Sequence, residues 1–458
     1  MFHTDTIVAL ATAGGAAAIA VVRLSGPEAV PMVEKIFYPV RSSKRLRDQP
    51  THTIHLGHLS DGEKILDQVL VSLFRAPNSY TGEDVVEIFC HGSLYIQQQL
   101  LQWLISKGVR LARSGEFTLR AFLNSKLDLS QAEAVADLIA SESEAAHQVA
   151  MKQLRGGISD RIKKLRKELL DFASLIELEL DFTEEDVAFA DRSDLYQLLD
   201  RLEEDLRCLI DSFALGNGVK QGIPVVIVGA PNVGKSTLLN VLLSEERAIV
   251  SEIAGTTRDA IEGKIVLDGI QFRFVDTAGI RSTEDQIESI GIQKTFEKME
   301  QAQVILYLFD SAAFDERKIR AELVGLQAQY PNKKLFAIAN KSDFSPVHFQ
   351  GDPPENFLTI SAKQAGGIEN LKKALVALIN REALQGQAVI LTQGRHYEAL
   401  QKALEAVLCV RQGLDQNLSG DLVAVEIRQA LRHLGEITGE VTADDLLGNI
   451  FSRFCIGK

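Results

Sequence analysis

A phosphate-binding sequence lies near the middle of the chain. Residues 229–236 read Gly-Ala-Pro-Asn-Val-Gly-Lys-Ser and follow an apolar run at 223–228. Glycines at this spacing let the backbone fold around an anion, and the N-terminus of a following helix adds partial positive charge. We expect Lys235 to bind the β- and γ-phosphates and Ser236 to bind Mg²⁺. The sequence therefore predicts a nucleotide site between a strand and a helix.

A second motif identifies the base. Residues Asn340-Lys-Ser-Asp343 follow the apolar run at 335–339. Asp343 can accept hydrogen bonds from N1–H and the 2-amino group of guanine, whereas adenine has neither donor and would leave the carboxylate unpaired. Ser361-Ala-Lys363 follows another strand-like run and completes the predicted base pocket. Together with the phosphate motif, these residues predict a GTP site.

Two further segments are candidates for nucleotide-dependent switches. Residues 251–259 are polar and turn-rich, and a threonine there can bind Mg²⁺ through its hydroxyl. Asp276-Thr-Ala-Gly279 follows a strand-like run at a spacing that suits a second Mg²⁺ and γ-phosphate element. Either segment could become ordered with GTP and relax after hydrolysis. The predicted GTP-binding residues are Asn232, Val233, Gly234, Lys235, Ser236, Thr237, Ser251, Glu252, Ile253, Ala254, Gly255, Thr256, Thr257, Asp276, Thr277, Ala278, Gly279, Asn340, Lys341, Ser342, Asp343, Ser361, Ala362 and Lys363.

The catalytic residues differ from those of Ras-type enzymes. Ile280 occupies the position of the glutamine that orients the attacking water there, and an apolar side chain cannot orient water. Glu288 is a candidate for that role, although a solvated helix charge explains it equally well. Asn232 has an amide oxygen that could help to hold a monovalent cation in place of an arginine finger.

Composition limits the class of protein. A chain of 458 residues suggests two to four domains. The formal net charge of −13 argues against a general nucleic-acid binder, so any RNA must bind at a local basic patch or through a partner. The four cysteines form no CxxC pair, which suits a reducing compartment. Because no signal pattern or membrane-length apolar run is present, we expect a cytoplasmic protein without a membrane partner.

Hydrophobic periodicity predicts three regions. Residues 1–120 read as mixed α/β, and residues 217–381 form the nucleotide domain. Segments 121–216 and 382–458 have helical spacing and predict one discontinuous helical domain into which the nucleotide domain is inserted.

Local patterns predict several element boundaries. Strands are expected at 18–24 and 66–74, and a helix at 94–106. Ser130 is the expected N-cap of the first helix of the helical domain. Asn217-Gly218 is the expected boundary of the nucleotide domain.

The N-terminal region contains polar residues that could form a site. His52, His55 and His58 are expected on a strand, where odd spacing prevents convergence on one ion. The segments 79–92 and 113–126 are interpreted more readily as capped loops than as sites. Even so, Arg23, Glu87 and Lys126 could gather around a polar ligand.

The segment Phe454-Cys-Ile-Gly-Lys458 contains a cysteine with three possible roles. Cys455 could be catalytic, redox-active or packed, and the residues alone favour packing. A prenylation box is a poor match because Gly and Lys follow Ile456.

The whole chain resembles the MnmE (TrmE) family of tRNA modification GTPases. The GTPase motifs above share in this resemblance. The other matching segments are Asp5-Thr-Ile-Val-Ala9, Arg23-Leu-Ser-Gly26, Tyr80-Thr-Gly-Glu-Asp84, Gly115-Glu-Phe117, Leu391-Thr392, Arg395-His396 and Phe454-Cys-Ile-Gly-Lys458. The resemblance implies a multidomain fold: an N-terminal α/β domain like tetrahydrofolate-binding proteins that mediates homodimerisation, an all-α helical domain, and an inserted Ras-like P-loop GTPase domain.

The resemblance also implies a tRNA-modifying reaction. Arg23, Glu87, Lys126 and Lys458 match positions that contact 5-formyltetrahydrofolate, which would supply the methylene carbon added at C5 of wobble uridine 34. The added group is carboxymethylaminomethyl or aminomethyl. Cys455 matches a cysteine implicated in the modification. The family works in a heterotetramer with MnmG, which binds FAD and NADH.

The resemblance further implies roles in GTP hydrolysis. Ser236 and Thr257 match Mg²⁺ ligands, and Glu288 matches a water-orienting glutamate. The potassium-binding positions are matched by Asn232, Ser251, Ile253 and Thr256, the middle two through backbone carbonyls. Potassium would replace an arginine finger and be enclosed when two GTPase domains meet across the dimer.

Two other classes of GTPase remain alternatives. Ribosome-assembly GTPases, which act by binding alone, share the Asp276-Thr-Ala-Gly279 motif followed by an apolar residue, but they usually carry a basic RNA-binding domain. A septin-type scaffold would need a polybasic membrane segment, which this chain lacks.

Overall fold

The structure, a computed structural model, consists of two compact units. It describes residues 5–40, 45–181, 192–245, 263–274, 299–378, 389–416, 418–441, 444–452 and 454–458. Unit 1 comprises Met1–Ala136, Gln153–Leu202 and Lys402–Lys458, and unit 2 comprises Asp137–Lys152 and Glu203–Gln401. The three-domain division expected from the periodicity stays a prediction.

Unit 1 contains a seven-stranded sheet in the order β3-β4-β5-β6-β2-β1-β7. Neighbouring strands are antiparallel except β1 and β7, which are parallel. The strands are β1 (Ile7–Leu10), β2 (Ala17–Ser25), β3 (Phe37–Pro39), β4 (Thr53–Ser60), β5 (Ile65–Phe74), β6 (Val85–Gly92) and β7 (Arg110–Leu111). The two strands expected at 18–24 and 66–74 are confirmed as β2 and β5.

One face of this sheet is buried. Alternate residues such as Val22, Val71 and Ile88 are fully buried, because successive side chains of a strand point to opposite faces. They pack with Leu100 of a helix that spans Leu94–Ser106, as expected. Arg23 and Glu87 alternate with these residues and therefore lie on the other face.

The three histidines have local partners. His55 and His58 lie on β4, whereas His52 precedes it with a φ of 61°. A ring nitrogen of His55 is 2.8 Å from Oγ1 of Thr53, and His58 stacks on Tyr38. Over the residues that the structure describes, no group of side chains is arranged to hold a metal ion.

Helices dominate the rest of unit 1 and contribute to unit 2. They are α1 (Ala29–Glu34), α2 (Leu94–Ser106), α3 (Glu116–Leu123), α4 (Leu129–Ala140), α5 (Glu144–Leu154), α6 (Gly157–Asp181), α7 (Arg192–Asp211), α8 (Phe213–Gln221), α9 (Lys235–Glu245), α10 (Glu316–Gln329), α11 (Ile368–Ala377), α12 (Gly394–Asp415), α13 (Gly420–Thr438) and α14 (Asp444–Phe451). None of the helices in the described part of the chain is both long and apolar enough to cross a membrane.

One boundary prediction is wrong. Asp128, not Ser130, caps α4: its Oδ1 accepts a hydrogen bond from the backbone N–H of Gln131, whose side chain accepts one from the N–H of Asp128, each at 3.0 Å. This reciprocal pair is a capping box, and Ser130 falls in the first turn. Asn217-Gly218, the expected start of the nucleotide domain, lies inside α8, where Gly218 is buried. The domain boundary itself stays a prediction.

Unit 2 contains a six-stranded sheet in the order β13-β12-β11-β8-β10-β9. Its pairs are parallel except the β9–β10 hairpin. The strands are β8 (Ile223–Val228), β9 (Gly263–Leu267), β10 (Ile270–Phe274), β11 (Val304–Asp310), β12 (Lys334–Asn340) and β13 (Phe357–Thr359). Because parallel strands end at the same edge, the loops that follow β8, β11 and β12 come together there.

Two helical glycines of unit 2 differ in their surroundings and give a stability prediction. A Cβ at Gly216 in α8 would lie 2.1 Å from the carbonyl oxygen of Leu391, whereas a Cβ at Gly325 in α10 would meet nothing within 4 Å. We expect Gly216→Ala to lower the thermal unfolding midpoint. Gly325→Ala should raise stability by about 0.5–1 kcal/mol, because alanine favours helix. A midpoint for Gly216→Ala at or above that of the wild type would contradict this packing.

Candidate functional site

The predicted phosphate loop joins β8 to α9 through two glycines that no other residue could replace without strain. Gly229 has a φ of 148°, and a Cβ there would lie 2.0 Å from the carbonyl oxygen of Leu308 on β11. Gly234 has a φ of 98°, and a Cβ there would lie 2.3 Å from Nδ2 of Asn340. The loop is thus packed tightly against the ends of the neighbouring strands.

Lys235 lies directly over this loop. Its ammonium group donates hydrogen bonds to the carbonyl oxygens of Gly229 and Ala230, each at 2.8 Å. Burial lowers the pKa of Lys235, because a partly desolvated ammonium is less stable in its charged form. Ser236 follows in the first turn of α9 and is half-buried, and Thr237 is exposed. Lys235 and Ser236 therefore lie next to the loop, and their roles in binding phosphate and Mg²⁺ stay predictions.

Asn232 occupies the middle of the loop in a left-handed conformation, with a φ of 62°. Asparagine tolerates this region better than most residues. Asn232 is exposed, whereas Val233 is buried. The carbonyl oxygen of Val233 accepts a hydrogen bond from the side chain of Asn340.

Asn340 links the phosphate loop to the base loop. Its Nδ2 donates to the carbonyl oxygen of Val233 at 2.7 Å, and its Oδ1 accepts from the backbone N–H of Ala362 at 2.9 Å. The residue is only 2% exposed. Both polar atoms of one buried amide are satisfied by two separate loops, so this side chain fixes the loops relative to each other.

Asp343 and Ser361 form the predicted base pocket. Oγ of Ser361 donates to Oδ1 of Asp343 at 2.7 Å, and Nε2 of Gln364 is 3.4 Å from Oδ2. The backbone N–H of Ser342 donates to the carbonyl oxygen of Ile360 at 3.1 Å. Asp343 is exposed, and the hydrogen bond from Ser361 orients its carboxylate. Lys363 is exposed beside Ala362, which is buried.

Asp310 is a site residue that was missed from the sequence. It ends β11, and its Oδ2 accepts a hydrogen bond from Nζ of Lys341 at 2.6 Å. This bond is the main cause that lowers the pKa of Asp310. The hydroxyl of Ser311 donates to the carbonyl oxygen of Lys341, which has a φ of 63°. The sequence signal that could have identified Asp310 is an acidic residue directly after the apolar run 304–309.

The remaining predicted GTP residues lie outside the described residues. These are Ser251, Glu252, Ile253, Ala254, Gly255, Thr256, Thr257, Asp276, Thr277, Ala278 and Gly279, together with Glu288 and the neighbouring Ile280. Their roles stay predictions.

Arg23 and Glu87 form a second candidate site on unit 1. They are in register on β2 and β6, and Nε of Arg23 donates to Oε1 of Glu87 at 2.8 Å. The guanidinium carbon lies 5.6 Å from the ring centre of Tyr80 and 5.7 Å from that of Phe117. The ion pair with Glu87 and the two aromatic rings therefore hold the guanidinium group of Arg23 in a fixed position.

The C-terminal segment docks against the same region. Nη1 of Arg23 is 3.4 Å from the carbonyl oxygen of Gly457, and the N–H of Phe117 donates to the carbonyl oxygen of Lys458 at 3.2 Å. A Cβ at Gly457 would lie 2.3 Å from the carbonyl oxygen of Leu10. The structure thus brings Lys458 to the site of Arg23, although the two are far apart in sequence.

Cys455 is exposed, so the interpretation that it is packed is wrong. Its neighbour Phe454 is buried instead and packs against Phe451. The Cys455 carbonyl oxygen accepts a hydrogen bond from the N–H of Gly115 at 3.3 Å. The backbone is anchored while the thiol remains accessible.

Lys126 lies beside the turn that carries Tyr80. A Cβ at Gly82 in this turn would lie 3.3 Å from Cε of Lys126. Nδ2 of Asn124 also donates to the carbonyl oxygen of Thr81 at 2.7 Å. Lys126 is exposed. It lies next to Gly82 of the turn, and Tyr80 of the same turn lies against Arg23.

A buried arginine supports the turn and was not predicted. Arg120 is 5% exposed and bonds to Asp5, Glu83 and Glu116. The hydrogen bond from Arg110 is the main cause that lowers the pKa of Asp5. The network fixes Glu83, which belongs to the turn beside the candidate site.

Two family models match this chain. The model described as the MnmE helical domain matches residues 129–455, and the model described as the GTP-binding protein TrmE N-terminus matches residues 6–126.

Similar proteins match over their full length. A tRNA modification GTPase MnmE from Flavobacterium psychrophilum is 59% identical, with 100% of both chains covered. Proteins of the same name from Cytophaga hutchinsonii and Bacteroides fragilis are 52% and 50% identical, and the matches cover 100% of this chain and 98% and 100% of theirs. With both family models and these relatives in agreement, the chain belongs to the MnmE (TrmE) family of tRNA modification GTPases.

Proposed function

We propose that this chain is a potassium-activated GTP hydrolase of the cytoplasm that modifies tRNA together with MnmG. The reaction adds a carboxymethylaminomethyl or aminomethyl group at C5 of wobble uridine 34 and uses a tetrahydrofolate-derived one-carbon unit. The observation that carries the proposal is the joined phosphate and base site, in which Asn340 connects Val233 to Ala362, in a chain that matches this family from end to end.

Guanine recognition is assigned to Asp343. Its carboxylate accepts hydrogen bonds from N1–H and the 2-amino group of the base, and Ser361 holds it in the required orientation. Adenine would leave this carboxylate without a donor, at a cost of about 1–3 kcal/mol. The pocket therefore favours GTP over ATP.

The phosphates and Mg²⁺ are assigned to the loop and the first turn of α9. The glycines leave room for an anion, and Lys235 reaches the β- and γ-phosphates by leaving the carbonyl oxygens that now hold it. Ser236, with Thr257, would hold Mg²⁺, which neutralises phosphate charge when bound.

Hydrolysis requires a cation and an oriented water. Asn232 has an amide oxygen of the type that binds K⁺, and it lies on an exposed turn of the phosphate loop. With Ser251, Ile253 and Thr256 it would hold K⁺, which supplies positive charge where Ras-type enzymes use an arginine finger. Glu288 would orient the water, and contact between two GTPase domains would enclose the ion.

Homodimerisation of the N-terminal sheet is supported by exposed apolar residues. Ile54, Leu56 and Leu70 are 67, 48 and 44% exposed, and Leu56 pairs directly with Leu70. Contiguous apolar surface of this kind is typical of an interface.

Folate binding is assigned to Arg23, Glu87, Lys126 and Lys458. The Arg23–Glu87 pair presents a cation and a carboxylate in fixed positions, which suits a ligand with carboxylates and a hydrogen-bonding pteridine ring. Bound 5-formyltetrahydrofolate would supply the one-carbon unit. The exposed Cys455 is a candidate participant in the modification.

The potassium assignment predicts a cation-dependent rate. Wild-type GTP hydrolysis should be about 100- to 1,000-fold faster in KCl than in NaCl, the scale expected when one charge-stabilising group acts on the transition state. Asn232→Ala should remove this difference, whereas Asn332→Ala, at an exposed turn, should preserve it. Equal wild-type rates in both salts would contradict the assignment.

The folate assignment predicts a loss of tRNA modification. In cells that lack the protein and express Arg23→Ala, mass spectrometry of tRNA nucleosides should detect little modified wobble uridine. Calorimetry should detect an approximately 10- to 100-fold weaker affinity for 5-formyltetrahydrofolate, because a charge-assisted contact is lost. The control is Arg47→Ala, which should leave modification and folate affinity unchanged. The Arg47 side chain is 56% exposed and pairs with Glu34. Normal modification in cells without the protein would refute the proposed function.

A further inference from the structure

Unit 2 includes a helical segment that is distant in sequence from the rest of its sheet. Residues Asp137–Lys152 belong to unit 2, although the GTPase motifs begin at residue 229. Two anchors hold the start of this segment: Asp137 accepts from Nζ of Lys220 at 2.8 Å and from Nε2 of Gln393 at 2.9 Å. The segment is therefore fixed to unit 2 independently of the contacts described next.

Glu142 bridges both strands of the β9–β10 hairpin. Its Oε2 accepts hydrogen bonds from Nζ of Lys264 on β9 and from Nε2 of Gln271 on β10, each at 2.9 Å. Gln271 is only 4% exposed. Hydrogen bonding from Lys264 is the main cause that keeps the pKa of Glu142 below its usual range.

The turn of the hairpin is held by the same segment. The backbone N–H of Ala145 donates to the carbonyl oxygen of Gly269 at 3.0 Å. Ala146 and Val149 of α5 are buried in one core with Ile265 and other residues of the hairpin. Glu142 itself is fixed because Ser143 caps α5, accepting from the N–H of Ala146 at 3.2 Å.

The hairpin has a special position in the sequence. It directly follows the segment that carries Thr257 and directly precedes the segment that carries Asp276 and Glu288. A displacement of the hairpin would move one end of each segment. Any contact that fixes the hairpin therefore acts on the residues proposed to carry out hydrolysis.

We propose that Glu142 is a positioning residue for GTP hydrolysis, which acts through Lys264 and Gln271 to fix the hairpin between the two predicted switch segments. The inference rests on the proposed roles of Thr257 and Glu288. It also makes the α5 segment part of the GTPase machinery.

The test compares Glu142→Ala and Lys264→Ala with wild-type protein in full-length form. We expect kcat for GTP hydrolysis to fall about 3- to 10-fold in each variant, within the range found for residues that couple sites without touching ligand. The affinities for GDP and a non-hydrolysable GTP analogue should stay within about twofold of wild type, and so should KM. A structural defect would instead lower affinity and the unfolding midpoint together.

A charge exchange completes the test. The double variant Glu142→Lys with Lys264→Glu restores an ion pair, and the Gln271 amide can turn over so that its Oε1 accepts from the new ammonium group. This variant should recover most of kcat. Glu144→Gln, on the same segment but bonded to Gln148, should behave as wild type. An unchanged kcat in Glu142→Ala, or no recovery in the double variant, would overturn the inference. A wild-type protein that fails to hydrolyse GTP would instead overturn the proposed function.

Discussion

The nucleotide site depends on one buried amide. Asn340 holds the carbonyl group of Val233 in the phosphate loop and the N–H of Ala362 in the base loop. Each loop is set by its own backbone conformation, but neither determines its distance from the other. In the proposed site GTP contacts both loops at once, so a fixed distance between them favours its binding. The parallel order of β8, β11 and β12 brings the loops to one edge, and Asn340 then joins them.

The features that could be predicted from the sequence are those that depend on local conformation. The phosphate and base motifs are local: glycines at 229 and 234, and an Asn-Lys-x-Asp sequence after an apolar run, determine conformations over a few residues. These elements appear where they were expected, and so do strands β2 and β5 and helix α2. The positive φ angles of Gly229 and Gly234 give the physical reason that these positions are glycine.

Features that depend on distant contacts were not predictable. In the sequence Asp310 is only an acidic residue at the end of a strand. Its contact with Lys341 arises because β11 pairs with β12. The exposed thiol of Cys455 depends on the docking of the C-terminal segment near Gly115. The N-cap of α4 was predicted wrongly for a similar reason. Aspartate and serine are both good N-cap residues, and only the reciprocal hydrogen bonds with Gln131 identify Asp128 as the cap.

The most direct test of this account is the affinity of Asn340→Ala for GDP, measured by calorimetry. Two buried groups would lose their partners, at about 1–3 kcal/mol each, so the affinity should fall at least about tenfold. A circular dichroism spectrum like that of the wild type would confirm that the protein is folded. Asn332→Ala, an exposed asparagine of the same unit, should bind GDP normally. An affinity for GDP within about twofold of wild type would contradict the claim that Asn340 organises the site.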